Sequence, residues 1–320
     1  MITNSNILIT GGAGFIGSHL FEELINYNNY ITVIDNFNDY YEGKEERFQK
    51  LTQNFEREKG YTLIRGNLLD DSTYLRIKKQ IDIIFHLAAQ AGVRFSIENA
   101  GEVSHNNITS TVKILDYAIQ NDVNKVVYAS SSSVYGNPLY TPVDEEHPKS
   151  PISPYAVSKL TGEIYADYYH REYDLPVMSH RFYTVYGPRG RPDMAIRKFF
   201  NLISHNKEIT IYGDGEQLRD FTYVSDIVNG LILSADNDKA NGEVFNLGCS
   251  NPISVNELVD KIYKIVDKPK NVRYGNKKKG DVRVTHSDIT KANKILGYEP
   301  KINIDNGLKR TYDWQIENLD

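Results

Sequence analysis

A tyrosine and a lysine stand at a spacing that suits proton transfer. Tyr155 and Lys159 lie four residues apart in a segment that begins with Ser153 and Pro154, a helix N-cap followed by the favoured first-turn proline. Four residues place both side chains on one helix face. An ammonium beside a phenol favours the phenolate, so we expect the pKa of Tyr155 to fall below its free value of about 10, which makes it usable as a base. Such a pair is commoner on an ordinary solvated helix than in an active site, so the interpretation depends on the residues beside it.

Three serines supply that setting. Ser131, Ser132 and Ser133 follow a predicted strand at Lys125 to Ala129. A doubly wound sheet builds its site at the carboxyl ends of its strands. Serine hydroxyls can orient a substrate oxygen or share its proton. The sequence therefore predicts a site in which these serines meet Tyr155 and Lys159.

A glycine-rich segment predicts dinucleotide binding. Residues 11–17 read GGAGFIG, directly after the first predicted strand and at the start of a helical pattern. Glycines let the backbone approach a pyrophosphate, whose charge then meets the free amides of the helix N-terminus. Asp35 ends the second strand, 18 residues after Gly17, where a carboxylate can accept from ribose hydroxyls. No Arg or Lys precedes Lys44 to pair with a 2′-phosphate, which favours NAD over NADP. A plain glycine turn and a strand-end aspartate are the alternatives.

The elements that must position these groups alternate along the chain. Apolar runs bounded by turn residues predict strands at 6–10, 30–34, 62–65, 82–87, 125–129 and 177–182, and helical patterns lie between them. Near-continuous apolar strands are typical of a parallel sheet covered on both faces. We predict an α/β protein with a doubly wound parallel Rossmann sheet and a smaller C-terminal α/β lobe that binds the substrate. Residues 1–180 form the dinucleotide-binding domain, to which a segment near 222–248 returns, and 181–320 form mainly the lobe. A surface helix is predicted at 44–58.

Composition excludes several classes of function. The 320 residues are 40% hydrophobic and 25% charged, which is typical of a globular protein. A net charge of −5 lacks the cationic excess that nucleic acid or an anionic membrane requires. The single cysteine, Cys249, cannot form an internal disulfide, and neither a leader nor a membrane span is evident. We predict a cytoplasmic protein that binds neither nucleic acid nor membrane.

Several motifs together resemble the extended short-chain dehydrogenase/reductase family over nearly the whole chain. They are the fingerprint at 11–17, the Ser-Val-Tyr-Gly element at 133–136, the Tyr155/Lys159 pair and the Arg-Asp-Phe element at 219–221. Two stretches are more discriminating, because residues 181–195 (RFYTVYGPRGRPDMA) and 35–41 (DNFNDYY) are similar to UDP-glucuronate 4-epimerases. The resemblance implies an isomerase that uses tightly bound NAD.

The resemblance also implies roles for individual residues. Tyr155 would take the proton of the sugar 4-hydroxyl while hydride passes from carbon 4 to NAD. Lys159 would hold the nicotinamide ribose and lower the pKa of Tyr155, and Ser131 would bind the reacting oxygen. The 4-keto sugar would then rotate and take the hydride back on its other face, with no net redox change. No metal site is predicted. The implied cofactor-binding residues are Gly11, Gly14, Phe15, Ile16, Gly17, Asp35, Asn36, Asn38, Asn67, Leu68, Leu87, Ala88, Ala89, Asn107, Tyr155 and Lys159.

A uronic acid substrate adds one requirement. After oxidation at carbon 4 the sugar is a β-keto acid, which loses carbon dioxide when its carboxylate bond aligns with the carbonyl π system. We hypothesise that Arg191 holds the carboxylate with help from Ser132 and Ser133, since a guanidinium is a fixed two-pronged donor. A loop arginine that faces water is the alternative. Thr184 is a further implied substrate residue, and Tyr212 would lie beside the uracil. Arg219 and Arg283 would contact the diphosphate, and the alternative for each is a surface ion pair.

Several positions separate this chain from its relatives. Ser132 and Ser133 stand where 4,6-dehydratases have an Asp-Glu pair and decarboxylases have a nearby Glu, and neither hydroxyl is a good acid or base near neutral pH. UDP-glucose and UDP-N-acetylglucosamine 4-epimerases, which usually show Asn where Thr184 stands, are the first alternative. A decarboxylase and a non-catalytic NAD-sensing protein are lesser ones. Two departures from the family are Asn67, in place of Asp, and Ser110, in place of Gly. A homodimer through helices near 102–120 and 154–170 is expected from the family.

Overall fold

The computed structural model describes residues 1–53, 55, 60–278 and 280–318. The strands in chain order are β1 (Asn6–Thr10), β2 (Tyr30–Asp35), β3 (Tyr61–Arg65), β4 (Ile83–His86), β5 (Lys125–Ser131), β6 (Val177–Phe182), β7 (Thr184–Tyr186), β8 (Ile209–Tyr212), β9 (Leu218–Arg219), β10 (Phe221–Tyr223), β11 (Val244–Leu247), β12 (Ile253–Ser254) and β13 (Val272–Gly275).

The helices lie between these strands. They are α1 (Phe15–Ile25), α2 (Lys44–Thr52), α3 (Asp71–Tyr74), α4 (Val93–Glu98), α5 (Ala100–Ser104), α6 (Ser110–Gln120), α7 (Pro154–Tyr173), α8 (Ala195–Ser204), α9 (Val224–Ala235), α10 (Val255–Val266), α11 (Thr290–Leu296) and α12 (Ile304–Asn318), with a π-helical turn at His105–Thr109 and short 3₁₀ helices at Ser132–Tyr135 and Asp238–Ala240. Of the helix predicted at 44–58, residues 54 and 56–58 lie outside the described residues.

In the part of the chain that the structure describes, seven parallel strands form one sheet in the order β11-β6-β5-β4-β1-β2-β3. The predicted doubly wound α/β fold is confirmed, and the predicted strand ends differ from the observed ones by two residues or fewer. The strand order reverses between β1 and β4, which is where such a fold binds its ligand. Strand β11 pairs with β6, so a segment of the second half completes the sheet. The domain division at residue 180 stays a prediction.

Alternation along the strands explains the two helical layers. Ile7 and Ile9 of β1 face a core that α1 and α9 cover, whereas Leu8 between them faces the core under α6 and α7. Successive side chains of a strand point to opposite faces, so both faces of an apolar strand need a cover. Residues of α8, α10 and α12 form a separate cluster against β8, which is the core of the smaller lobe. Within the described residues, no helix is both long and apolar enough to cross a membrane.

Candidate active site

A cleft of about 460 Å³ opens at the reversal point between β1 and β4. Loops that follow β1, β2, β4 and β5 form its walls, since the carboxyl ends of parallel strands meet at one edge of the sheet. The predicted cofactor residues that line it are Gly11, Gly14, Phe15, Ile16, Gly17, Asp35, Asn36, Asn38, Asn67, Leu68, Leu87, Ala88, Ala89, Tyr155 and Lys159.

The glycine turn leaves a cradle in this cleft. Gly11 has a φ of 69°, and a Cβ on it would lie 2.9 Å from the Cα of Ala88. A Cβ on Gly17 would overlap the carbonyl oxygen of Gly11. Only glycine therefore lets the three backbone segments approach so closely. Helix α1 begins at Phe15, so its free amides lie at the cradle, where the pyrophosphate of a dinucleotide fits.

Asp35 ends β2 and lines the cleft. Its carboxylate accepts from the backbone amides of Ala13 (3.1 Å) and Phe37 (2.8 Å). Burial raises its pKa, and these bonds and the charge of Lys44 oppose the shift. Lys44 begins α2, lines the cleft and donates to the Asn38 side chain. The sequence analysis named Lys44 only as the first cation along the chain and did not place it in the cleft, because eight residues lie between it and Asp35 and only the fold brings it back.

Asn107 does not line the cleft. Its side chain is 2% exposed and accepts from the Gln90 amide (2.7 Å), while it donates to the Gln90 carbonyl (3.1 Å) and to Ser158 Oγ (2.9 Å). The amide group thus ties the loop after β4 to α7. Asn106 and Ser110, from the same π-helical turn and the residue after it, line the cleft instead. Asn107 therefore supports the cleft wall.

The predicted proton-transfer pair lies on α7 as expected. Ser153 caps this helix by accepting from the Ala156 amide (3.2 Å). Both Tyr155 and Lys159 line the cleft, and Lys159 Nζ lies 6.0 Å from the centroid of the Tyr155 ring. Lys159 Nζ also donates to the Ala129 carbonyl at 2.7 Å.

The expected pKa of Tyr155 is wrong. Burial raises it, and the charge of Arg191 and a hydrogen bond with Ser131 oppose the rise. Burial also lowers the pKa of Lys159 to about 7, against the charge of Glu163. Desolvation disfavours the charged form of both groups and is the largest cause of each shift. The groups that favour the Tyr155 phenolate are therefore Arg191 and Ser131.

The three serines close the other side of the centre. Ser131 Oγ accepts from the Ser133 amide (3.2 Å) and from Ser133 Oγ (2.9 Å), which starts the short 3₁₀ helix. Ser132 and Ser133 line both the cleft and a second cavity of about 190 Å³. Tyr183 also lines both, and its buried hydroxyl has no hydrogen-bond partner among the described residues. Polar groups thus converge where the two cavities meet.

A buried ion pair that sequence reasoning missed supports this centre. Glu163 follows Lys159 by one turn of α7 and accepts from Arg181 Nε (3.0 Å) and Nη2 (2.7 Å) and from Ser130 Oγ (2.5 Å). The two side chains of the pair are 6% and 2% exposed. The cluster joins β6 to α7 and β5, and the latter two carry the candidate catalytic residues. Nothing in the spacing of Glu163 and Arg181 announces their contact.

The predicted substrate residues are divided between the cavities and the surface. Thr184 and Arg191 line the main cleft. Arg219 does not line either cavity, and its Nη2 donates to Asp281 Oδ1 (2.5 Å) and the Val282 carbonyl (2.7 Å). Arg283 is also outside both and forms two bonds with Asp214, of 2.7 and 2.9 Å. Each arginine is therefore in an ion pair, the alternative expected for both, and that of Arg283 is on the surface whereas that of Arg219 is partly buried.

Tyr212 lines neither cavity, and two cationic side chains lie close to its ring. The Arg94 guanidinium is 5.2 Å and Lys278 Nζ is 4.7 Å from its ring centroid. Arg94, at the start of α4, also lines the second cavity. Sequence reasoning missed both cations, which stand beside the side chain predicted to border a uracil. The described residues hold no cluster of His, Cys, Asp and Glu that could bind a metal ion.

Comparison with known proteins gives relatives over nearly the whole chain. A family model described as GDP-mannose 4,6 dehydratase matches residues 8–311. The UDP-glucuronate 4-epimerase of Thermodesulfobacterium geofontis is 40% identical over 319 residues, which cover 98% of this chain and 97% of that protein.

Solved structures also match over nearly the whole chain. The UDP-glucuronic acid 4-epimerase from Bacillus cereus, in complex with UDP-glucuronic acid and NAD, has a TM-score of 0.90 and 34% identity over 98% of this chain and 99% of that one. The UDP-N-acetylglucosamine 4-epimerase from Methanobrevibacter ruminantium, in complex with UDP-N-acetylmuramic acid, has a TM-score of 0.91 and 33% identity over 99% and 100%. The names agree on 4-epimerases of UDP-sugars and differ in the sugar.

Proposed function

This chain belongs to the GDP-mannose 4,6-dehydratase family of extended short-chain dehydrogenases/reductases, and from that membership we propose that it is a UDP-glucuronate 4-epimerase. It interconverts UDP-glucuronate and UDP-galacturonate through a transient 4-keto sugar, with NAD as the cofactor. One observation carries the choice of sugar. Arg191 lies in the catalytic cleft, near enough for its charge to oppose the rise in the pKa of Tyr155.

Tyr155 and its neighbours perform the proton transfer. Tyr155 takes the proton of the sugar 4-hydroxyl and returns it at the end of the turnover. Ser131 hydrogen-bonds the same oxygen, Arg191 supplies the positive charge that favours the phenolate, and Lys159 lies beside the ring. Bound NAD supplies the hydride chemistry at carbon 4. Because the proton returns to the oxygen from which it came, the chain needs no further acid or base.

The carboxylate of the substrate is held by Arg191, Ser132 and Ser133. Both serines line the junction of the two cavities, and Arg191 lines the main cleft. Holding the carboxylate keeps its bond to carbon 5 out of line with the 4-keto π system, which prevents loss of carbon dioxide. The pyrophosphate of the cofactor meets the cradle at Gly11, and Asp35 accepts from a ribose hydroxyl.

A neutral-sugar 4-epimerase is the second candidate, and one observation favours it. Arg191 already forms two bonds with Asp193, of 3.0 and 2.6 Å, so its charge is partly compensated before any substrate binds. A UDP-glucose or UDP-N-acetylglucosamine substrate brings no carboxylate that must share this guanidinium. A decarboxylase has no such support, since Ser132 and Ser133 stand in the cleft where it has a Glu, and an NAD-sensing protein has none, since Tyr155 and Lys159 are both in place.

Proton NMR of the purified protein with UDP-glucuronate, first without and then with added NAD, tests the proposal. Formation of UDP-galacturonate supports it and shows whether bound cofactor suffices. UDP-xylose or a 4-keto pentose would move the protein to the decarboxylase branch. No reaction with UDP-glucuronate, but turnover of UDP-glucose or UDP-N-acetylglucosamine, would establish the second candidate instead. Binding of NAD without turnover of any UDP-sugar would leave the sensing function.

We also propose that the protein is a cytoplasmic homodimer. Val157, Ile164 and Tyr168 project from α7 with 45%, 62% and 42% exposure, at spacings that place them along one side of the helix. Such apolar side chains suit a contact with the same helix of a second copy. Light scattering after gel filtration should give twice the 36.6 kDa of one chain, and Ile164→Glu should halve that mass. A wild-type monomer would refute the dimer.

A further inference from the structure

We infer that Asp193 is a positioning residue for the substrate carboxylate, because it holds one edge of the Arg191 guanidinium and leaves another edge free toward the cleft. The inference rests on the proposed function, since it concerns the same carboxylate subsite. Asp193 itself does not line the cleft, so it acts through Arg191 and not on the sugar.

The contact between the two side chains is specific in geometry. Arg191 Nε donates to Asp193 Oδ1 at 3.0 Å, and Nη2 donates to Oδ2 at 2.6 Å. These two bonds fill the side edge of the guanidinium. Nη1 takes no part in these two bonds, and the Tyr40 hydroxyl also contacts the guanidinium. A guanidinium can bind a carboxylate at each edge, so the end that carries Nη1 and Nη2 remains available for a second one.

Tyr40 fixes the ion pair in place. Its hydroxyl donates to Asp193 Oδ2 at 3.4 Å, and the Arg191 guanidinium lies 5.5 Å from its ring centroid. The Tyr40 hydroxyl occupies the space beside Gly92, where a Cβ would overlap it. Tyr40 belongs to the loop after β2 and Gly92 to the loop after β4, and both loops line the cleft. Tyr40 therefore fixes the orientation of Arg191 relative to the two loops that line the cleft.

The orientation of Arg191 matters for the fate of the 4-keto sugar. If the carboxylate turns, the bond from carbon 5 to the carboxylate breaks, carbon dioxide leaves, and the electron pair remains as the enolate of the 4-ketone. A proton then adds at carbon 5, so the step needs no added oxidant or reductant. If Arg191 is not held in one orientation, it binds UDP-glucuronate less tightly and also allows the loss of carbon dioxide. Asp193 thus affects affinity and product purity together.

Four variants and one control test the role. Asp193→Asn, Asp193→Ala, Arg191→Ala and the double variant Arg191→Ala/Asp193→Asn are compared with the wild type. Asp260→Asn is the control, because it removes a carboxylate from an exposed ion pair with Lys270 (2.5 Å) that lines neither cavity. KM and kcat for UDP-glucuronate are measured by NMR, and ¹³CO₂ is measured from substrate labelled at carbon 6.

We expect Asp193→Asn to raise KM about three- to tenfold, in line with the loss of a paired, partly exposed ion contact. The share of turnovers that end in ¹³CO₂ should rise severalfold, while kcat changes little and the control matches the wild type. In the Arg191→Ala background, Asp193→Asn should have no additional effect, because the group through which it acts is gone. Asp193→Ala should behave as Asp193→Asn does.

Several results would overturn the inference. An unchanged KM with no added ¹³CO₂ would show that Asp193 does not orient Arg191, and a lower KM would show that it competes with the substrate. A further loss in the Arg191→Ala background would place its effect elsewhere. If the wild type epimerises UDP-glucose but not UDP-glucuronate, the proposed function fails and the inference fails with it. The wild-type measurement thus separates the two failures.

Discussion

The buried pair of Glu163 and Arg181 gives the sharpest test of how the centre is held. The change Glu163→Gln keeps the size of the side chain and removes its charge. Arg181, which is 2% exposed, would then keep its positive charge without the carboxylate that now makes two bonds with it, of 3.0 and 2.7 Å. Ser130 would also lose a charged acceptor. The variant should therefore be much less stable than the wild type.

The size of the effect follows from burial. Removal of one partner from a buried ion pair costs about 3 to 5 kcal/mol, because the other charge stays desolvated. For a chain of this length, each kcal/mol corresponds to roughly 2 °C in Tm. We expect Glu163→Gln to lower Tm by about 6 to 10 °C. Replacement of both partners by methionine should recover most of this loss, because neither charge is then buried.

Thermal unfolding followed by circular dichroism at fixed pH and salt is the assay. Asp167→Asn is the matched control, since it removes a carboxylate from an exposed ion pair with Arg171 on the same helix (3.0 Å, 58% and 62% exposed). Its effect should stay below about 0.5 kcal/mol, or roughly 1 °C. Equal Tm values for Glu163→Gln and Asp167→Asn would refute the argument from burial. A double-methionine variant less stable than Glu163→Gln would refute the reasoning about the unpaired charge.

Other predictions concern pH, cofactor and catalysis. Burial lowers the pKa of His180 to about 3, so below about pH 6.5 the unfolded chain binds a proton that the folded chain does not, and stability falls. His180→Phe should reduce the loss of unfolding free energy between pH 7 and 5 by about 2 kcal/mol in urea unfolding. The exposed control His205→Gln should not reduce it. Gly11→Ala should weaken NAD binding at least about tenfold by calorimetry, because its φ is 69° and an added Cβ would lie 2.9 Å from the backbone of Ala88. Gly101→Ala should bind NAD normally, because a Cβ added there meets no neighbouring atom within 4 Å. Tyr155→Phe should lower turnover about 10²- to 10⁴-fold and retain NAD; near-normal turnover would exclude Tyr155 as the base.

The central sheet was predictable because its strands are short apolar runs that must be covered on both faces. Strand β11 was not predicted as a strand, although a segment near 222–248 was expected to return to this domain, since its four residues include Asn246, a polar side chain that argues against a buried strand. The structure satisfies that amide by donation to the Val143 carbonyl (2.9 Å) and acceptance from Tyr135 (2.7 Å). Those partners lie more than 100 residues away in the chain. No local pattern could have announced them.

Site residues divide in the same way. The Gly11–Gly17 turn and the Tyr155/Lys159 pair are local, and their spacing alone places them on a strand-to-helix turn and on one helix face. Arg94 and Lys44 carry no such pattern. Each lies at the start of the helix that follows a strand of the central sheet, and the packing of α4 and α2 at the sheet edge brings them to the cavities. Arg283 is the opposite case. The family resemblance predicts that it binds the diphosphate, but in the structure it lies on the surface and pairs with Asp214.

The amino-acid sequence by itself determined the alternation of strands and helices, the dinucleotide turn and the kinds of group that can move a proton. Only the tertiary structure decided how burial shifts the pKa values of those groups and which edge of Arg191 pairs with Asp193. Burial raises the pKa of Tyr155 although Lys159 lies one turn away, and Asp193 occupies part of the guanidinium predicted for a substrate. The reason is physical, since spacing specifies which side chains share a helix face, whereas desolvation and ion pairing depend on what the whole chain packs around them.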